Sequence, residues 1–141
     1  MGADALLPRL DRVRRTGDRR WIACCPAHDD RRPSLTIREA DDGRVLLCCF
    51  GGCQTADVLD ALGLSWSDLF PPRGRTDPPS RRRREPLVSA SDALRVLAHE
   101  VTVCALVAGD LARGEAISEA DRARLLVAAG RIAKAEALCS A

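Results

Sequence analysis

The stretch "CCPAHDDRRPSLTIREADDGRVLLCCFGGC", residues 24–53, decides the fold. It opens with Cys25-x-x-His28 and closes with Cys49-x-x-x-Cys53, and the residues between read as strand, turn and strand. Each short spacing sets two metal-binding side chains on one turn, and a hairpin brings the two turns together. Three thiolates and one imidazole suit one tetrahedral Zn²⁺ with no position open to substrate, so the expected site is structural. Cys24-Cys25 and Cys48-Cys49 are both doublets. In extended chain, neighbouring side chains point to opposite faces, so the two members of a doublet do not easily reach one metal. Pro26 stiffens the turn directly after Cys25, and Cys25 to His28 is the usual two-residue spacing. The expected ligands are therefore Cys25, His28, Cys49 and Cys53; Cys24 or Cys48 would enter only with the register displaced by one. The competing reading makes all five cysteines buried thiols and His28 incidental.

Around this stretch the sequence predicts an α+β protein: a small zinc ribbon, built as an antiparallel β-hairpin sheet with short helices, followed by a C-terminal α-helical hairpin. "RWIACC", "PSLTIRE" and "GRVLLCCF" are the strands, and "ADDG" is the turn between the second and third. "QTADVLDALG" is a short helix with Thr55 as N-cap and Gly63 as its stop, and "SWSDLF" is one further helical turn. Three segments follow: residues 1–70 as the zinc unit, 71–88 as a basic Pro/Arg-rich linker and 89–141 as the helical hairpin. The zinc unit has few large apolar side chains, and the whole chain is only 3% aromatic. A unit of that size does not comfortably offset its own ordering entropy, so a metal staple is expected. Zinc would then contribute to folding on the order of 10 kcal/mol or more, as in zinc-finger peptides.

The linker, "FPPRGRTDPPSRRRREP", combines prolines with a four-arginine run and no apolar period, a composition for an extended, solvated connector. The net charge is only +2, and its excess sits in this segment. Beyond it, Ser89 to Asp92 and Ser118 to Asp121 are capping boxes opening two helices, with Gly114 between them. Helical periodicity puts Leu94, Leu97, Ala98, Val101, Cys104, Ala105, Ala108 and Leu111 on one face of the first helix. The matching face of the second carries Leu125, Ala128, Ala129, Ile132, Ala135 and Cys139, and Cys104 and Cys139 read as small core residues. Val96, Val103 and Val107 then fall on the opposite side, where they would meet the zinc unit, a second copy of the chain or another protein. Because prolines and like charges in the linker hold the zinc unit away, the expectation is a homodimer through the helical hairpin or a partner protein.

No secretory signal is evident in "MGADALLPRL", and the longest apolar run, "VTVCALVAG", is too short for a bilayer span. The expected location is the cytoplasm, with no membrane association. Seven cysteines in a reducing compartment point to metal or free thiols rather than disulfides. Lys134 is the sole lysine, so there is no phosphate-binding G-x-x-x-x-G-K-[ST] loop, and His99-Glu100 lacks the second histidine of a zinc protease.

"CPAHDDRRPSLTI" followed by "GRVLLCCFGGCQTADVLDALG" resembles the N-terminal zinc-binding domain of bacterial and phage DNA primases. That domain carries C-P-x-H, P-S-[FL], a hairpin, and a second cysteine pair before a D-[VI]-[LI] helix. The likeness covers approximately residues 20–70 and places Cys25, His28, Cys49 and Cys53 at the ligand positions. Replicative primases usually have two residues between the last two cysteines; this chain has three, as in phage- and plasmid-borne relatives. The resemblance implies a zinc ribbon that contacts single-stranded DNA template and assists primer synthesis in DNA replication, here for a phage or mobile element. It also implies a catalytic primase or helicase subunit as partner. Family catalysis uses a separate domain with a glutamate and a D-x-D metal set. No D-x-D occurs here, so the chain is not expected to be an enzyme by itself.

Arg31, Arg32, Arg38 and Arg44 could track phosphates, and Trp21 and Phe50 could stack bases. Acidic neighbours such as Asp29, Asp30, Asp41 and Asp42 equally allow an ordinary solvated charged face, and the two aromatics equally suit the core. The alternative function is a protein-interaction or regulatory factor that reuses the zinc-ribbon fold and binds no nucleic acid.

Overall fold

The structure is a computed structural model that describes residues 2–70 and 87–140. Most of the linker, including the Arg81–Arg84 run, lies outside the described residues. The chain enters through a short helix α1 (Ala3–Leu6) and a 3-10 turn, Leu7–Arg9. Four strands follow: β1 (Arg14–Gly17), β2 (Arg20–Ala23), β3 (Leu35–Glu39) and β4 (Val45–Cys49). They form one antiparallel sheet in chain order. The three expected strands are present, and β1 is an addition. It pairs with β2 through Arg14↔Ile22 and Arg15↔Trp21, with an irregularity before Gly17.

Directly opposed residues share a sheet face, so the register sorts the side chains. Ala23↔Leu35↔Cys49 and Trp21↔Ile37↔Leu47 lie on one face. That face is covered by Ala3, Leu6 and Leu10 from the entering segment, by Val58 and Leu59 of α2 (Thr55–Leu62), and by Leu69 of the 3-10 turn Trp66–Leu69. The helix α2 stops at a left-handed Gly63, as expected. Its N-cap is Gln54 rather than Thr55, because the Gln54 N–H donates to Asp57 Oδ2 at 2.9 Å and closes the capping box one residue earlier.

The other sheet face is covered too, by the helical hairpin α3 (Ala90–Ala112) and α4 (Glu119–Ser140). Both expected serine caps form, as the serine half of the box: Asp92 N–H donates to Ser89 Oγ at 3.1 Å, and Asp121 N–H to Ser118 Oγ at 3.0 Å. Val88, Ala93 and Val96 pack against Ile22 and Phe50, with Ala135 of α4 completing the cluster. The N-terminal unit is therefore not held away from the helices; Val96, one of the three valines assigned to an outside partner, is buried against the sheet. Val107 is buried as well, and Val103 is half-buried.

This reverses the expected orientation of α3. Leu94 is 70% exposed, Val101 54% and Leu111 51%, so the row read as the helix–helix contact faces outward. The physical reason is Glu100. Its side chain is 2% exposed, with Arg124 Nη2 at 2.6 Å from Oε2 and Arg131 Nη1 donating to Oε1 at 2.7 Å. Pairing with the two guanidiniums offsets the cost of desolvating the carboxylate, which lets a charged residue sit on the buried face. On α4, Ala128 and Ala135 are buried at the contact as expected, whereas Ala129 and Cys139 are exposed. Among the described residues no helix is long and apolar enough to cross a membrane.

Candidate metal centre

In an antiparallel sheet of order β1-β2-β3-β4, β2 and β4 run in the same direction on either side of β3. Their C-terminal ends therefore leave the same edge of the sheet, beside the start of β3, where Leu35 opposes both Ala23 and Cys49. Cys25 and His28 lie just past the end of β2; Cys49 ends β4, and Cys53 precedes α2. The topology thus delivers the two ligand pairs to one place.

One ligand atom from each of Cys25, His28, Cys49 and Cys53 lies within 4.8 Å of all the others. His28 Nδ1 stands 3.2 Å from Cys53 Sγ and 3.8 Å from Cys49 Sγ. Ligands bound at zinc distances to a tetrahedral ion stand about 3.5–3.8 Å apart, so this cluster is close to the spacing a bound ion would impose. The set is three sulfurs and one nitrogen, Cys25 and Cys49 buried and the other two half-buried. These residues could hold a metal ion without further protein ligands.

The electrostatics separate Cys49 from its neighbour in the doublet. A hydrogen bond from the Cys25 thiol, backbone N–H groups of Cys53 and Gly51, and the nearby His28 bring the Cys49 thiol down to about 5. Gly51 N–H donates to its sulfur at 3.2 Å. Cys25, as donor to Cys49 and as a buried group, is pushed up, and burial raises Cys53 too. One thiolate is thus already favoured, and a cation is what would favour the rest. Cys24 and Cys48 lie outside the cluster; burial is the leading cause pushing both thiols up. Cys48, one residue before Cys49, points to the opposite sheet face, toward the helices.

Asp30 is a residue that the sequence reading left among surface acids. Its side chain is 2% exposed, and Oδ1 lies 3.7 Å from His28 Nε2. Asp30 Oδ2 accepts from the Cys25 backbone N–H at 2.8 Å and from Ser34 Oγ at 2.6 Å. His28 Nε2 is buried with no hydrogen-bond partner among the described residues. A carboxylate facing the distal imidazole nitrogen is the arrangement that orients metal-bound histidines. The signal was its position, two residues after His28 and four before Ser34. Lys134 was also missed: from α4 its Nζ donates to the Cys49 carbonyl at 2.5 Å, tying the helical hairpin to a ligand's backbone.

The residues considered for nucleic acid scatter. Phe50 is 2% exposed inside the cluster with Ile22 and Val96, so the base-stacking role is withdrawn and the core role stands. Trp21 is half-buried against the other core cluster. Arg44 Nε pairs with Asp42 Oδ2 at 2.6 Å, and Arg31 lies 4.0 Å from Asp29. Arg32 is exposed and carries no such pair among the described residues, and Arg38 is half-buried. The aromatic side chains that do face outward are Trp66, 56% exposed, and Phe70, 48% exposed.

No family model matches the chain, and comparisons with curated proteins and with solved structures find no match either.

Proposed function

We propose that this chain is a non-catalytic zinc module that binds single-stranded DNA and assists primer synthesis during replication of a phage or mobile element, beside a separate catalytic primase or helicase subunit. The observation that carries the reading is the convergence of Cys25, His28, Cys49 and Cys53 at one sheet edge, in a segment whose motifs resemble the primase zinc domain. In this reading the four residues hold one Zn²⁺, whose chemistry is structural: four protein ligands complete a tetrahedral shell and fix the two knuckles relative to the sheet. Asp30 orients His28, and Gly51 N–H steadies the Cys49 sulfur. Arginines supply phosphate contacts, and the absence of D-x-D leaves the polymerase chemistry to the partner.

A second reading, a protein-interaction factor without nucleic-acid binding, draws support from the pairing of Arg44 with Asp42, Arg31 with Asp29, and Arg19 with Asp41 at 3.4 Å. Arginines neutralised by adjacent acids attract phosphates weakly. Titration of the zinc-loaded chain with single-stranded and duplex DNA at low and moderate salt separates the two. The proposal expects single-strand binding that weakens steeply with salt. Absence of single-strand binding at low salt would leave the interaction factor as the function.

A further inference from the structure

Among the described residues, two of the clefts that border the zinc unit differ in charge. The one beside the metal centre mixes Arg9, Arg12 and Arg31 with Asp11, Asp29 and Asp30. The other, of about 490 Å³, lies between the β1 edge and α3. Its charged lining is Arg14, Arg15, Arg32 and Arg95, joined by His99, with no carboxylate among the lining residues.

We infer that this second cleft holds the phosphodiester backbone of a single-stranded nucleic acid, gripped from one side by the zinc unit and from the other by the helical hairpin. The inference rests on the nucleic-acid reading above and gives it a location. The side chains of Arg14 and Arg32 are exposed and have no ion-pair or hydrogen-bond partner among the described residues, unlike Arg44 of the β3–β4 turn. Arg95 donates to the Thr16 carbonyl at 3.3 Å and stands 3.8 Å from Asp92, which fixes its guanidinium at the cleft wall. The Thr16 hydroxyl, also in the lining, is buried without a hydrogen-bond partner. Arg15 and Arg95 already face Asp18 and Asp92, so the donors left for an anion are the Thr16 hydroxyl and the guanidiniums of Arg14 and Arg32. The floor contributes Ile22, Pro33 and Val96, apolar surface suited to the sugar or base edge of a flexible strand.

The arrangement exists only because the hairpin docks. The central part of this sheet face lies under α3 and α4, so the accessible positive groups are those at the β1 margin. A strand in the cleft would touch both halves of the molecule, which makes the hairpin part of the nucleic-acid interface.

The test uses the full-length zinc-loaded chain and a fluorescently labelled oligothymidylate, read by anisotropy at about 50 and about 200 mM salt. Three variants are compared: Arg14→Gln with Arg32→Gln, Arg95→Gln alone, and, as a control outside the cleft, Arg113→Gln, which removes an arginine paired with Asp110 and Glu115. The double variant is expected to bind at least tenfold more weakly at low salt, with the log–log salt slope reduced by about 1.4, or 0.7 for each lost contact. Arg95→Gln is expected to weaken binding several-fold, and Arg113→Gln to change it less than twofold. Zinc content and melting temperature, measured on every variant, keep a binding loss from being mistaken for misfolding. If the wild type binds but the double variant and Arg95→Gln bind as tightly, the cleft is not the site, although the nucleic-acid reading survives. If the wild type does not bind at low salt, both fall.

Discussion

Gly51 and Gly52 are adjacent, yet the structure requires glycine at each for a different reason. A methyl group at position 51 would stand 2.7 Å from His28 Cε1, 2.9 Å from its Nε2 and 3.3 Å from Cys49 Sγ. At position 52 a methyl would meet nothing within 4 Å, but the backbone there has φ 98°. Gly51→Ala therefore has to push the imidazole away by about 0.7 Å to reach ordinary contact. Metal sites tolerate displacements of about 0.2 Å, so a ligand forced that far loses much of its bond. Outer-shell disturbance of a zinc ligand typically costs about 10–100-fold in affinity, equivalent to about 1.4–2.7 kcal/mol, and Gly51→Ala should fall in that range. Gly52→Ala should cost about 1–2 kcal/mol of folding stability through its left-handed backbone while leaving the ligands in place. Competition with a chromogenic chelator measures the first effect and thermal melting of the zinc-loaded protein the second. Wild-type zinc affinity in Gly51→Ala, or a larger affinity loss in Gly52→Ala, would refute the packing argument.

Burial alone would raise the Glu100 carboxyl, but the close guanidiniums of Arg124 and Arg131 outweigh it and hold the group below the ordinary glutamate value of 4.5. A depressed acid stabilises the fold above its unfolded value and loses that contribution as pH falls through the folded one. Glu100→Gln should cost about 2 kcal/mol near neutral pH, discounted from a fully buried pair because Arg124 remains partly solvated. Its deficit against wild type in thermal melts should shrink below pH 4.5; a constant deficit would count against the triad. Val96→Asp should undock the hairpin from Ile22 and Phe50, at about 3 kcal/mol for lost burial plus an unpaired charge. Hydrogen exchange at the β2 and α3 amides should then speed up, and unchanged exchange would contradict the docking.

Much of the N-terminal unit was legible because its signals are local. The C-x-x-H and C-x-x-x-C spacings, the "ADDG" turn and the serine caps act over a few residues, and all appear where the sequence puts them. Strand β1 was hidden because "RRTG" has no apolar alternation; it is an edge strand held by backbone pairing to β2, with Ile22 and Trp21 opposite supplying the apolar surface. The orientation of α3 was hidden for a related reason. In an alanine-rich helix the apolar period is shallow, and a face drawn through apolar residues such as Leu94, Val101 and Leu111 leaves out the buried Glu100. Its partners Arg124 and Arg131 lie a full helix away in sequence. The docking of the hairpin depends on Phe50, whose neighbours in the cluster come from β2, α3 and α4, and such convergence leaves no mark in a linear reading.

The metal centre is the claim on which the rest depends, and zinc content per chain in the wild type and four single Cys→Ser variants tests it most directly. One zinc per wild-type chain is expected, lost in Cys25→Ser and Cys49→Ser and kept in Cys24→Ser and Cys48→Ser. Zinc kept by Cys25→Ser but lost from Cys24→Ser, or a wild-type chain that folds fully without metal, would contradict the account.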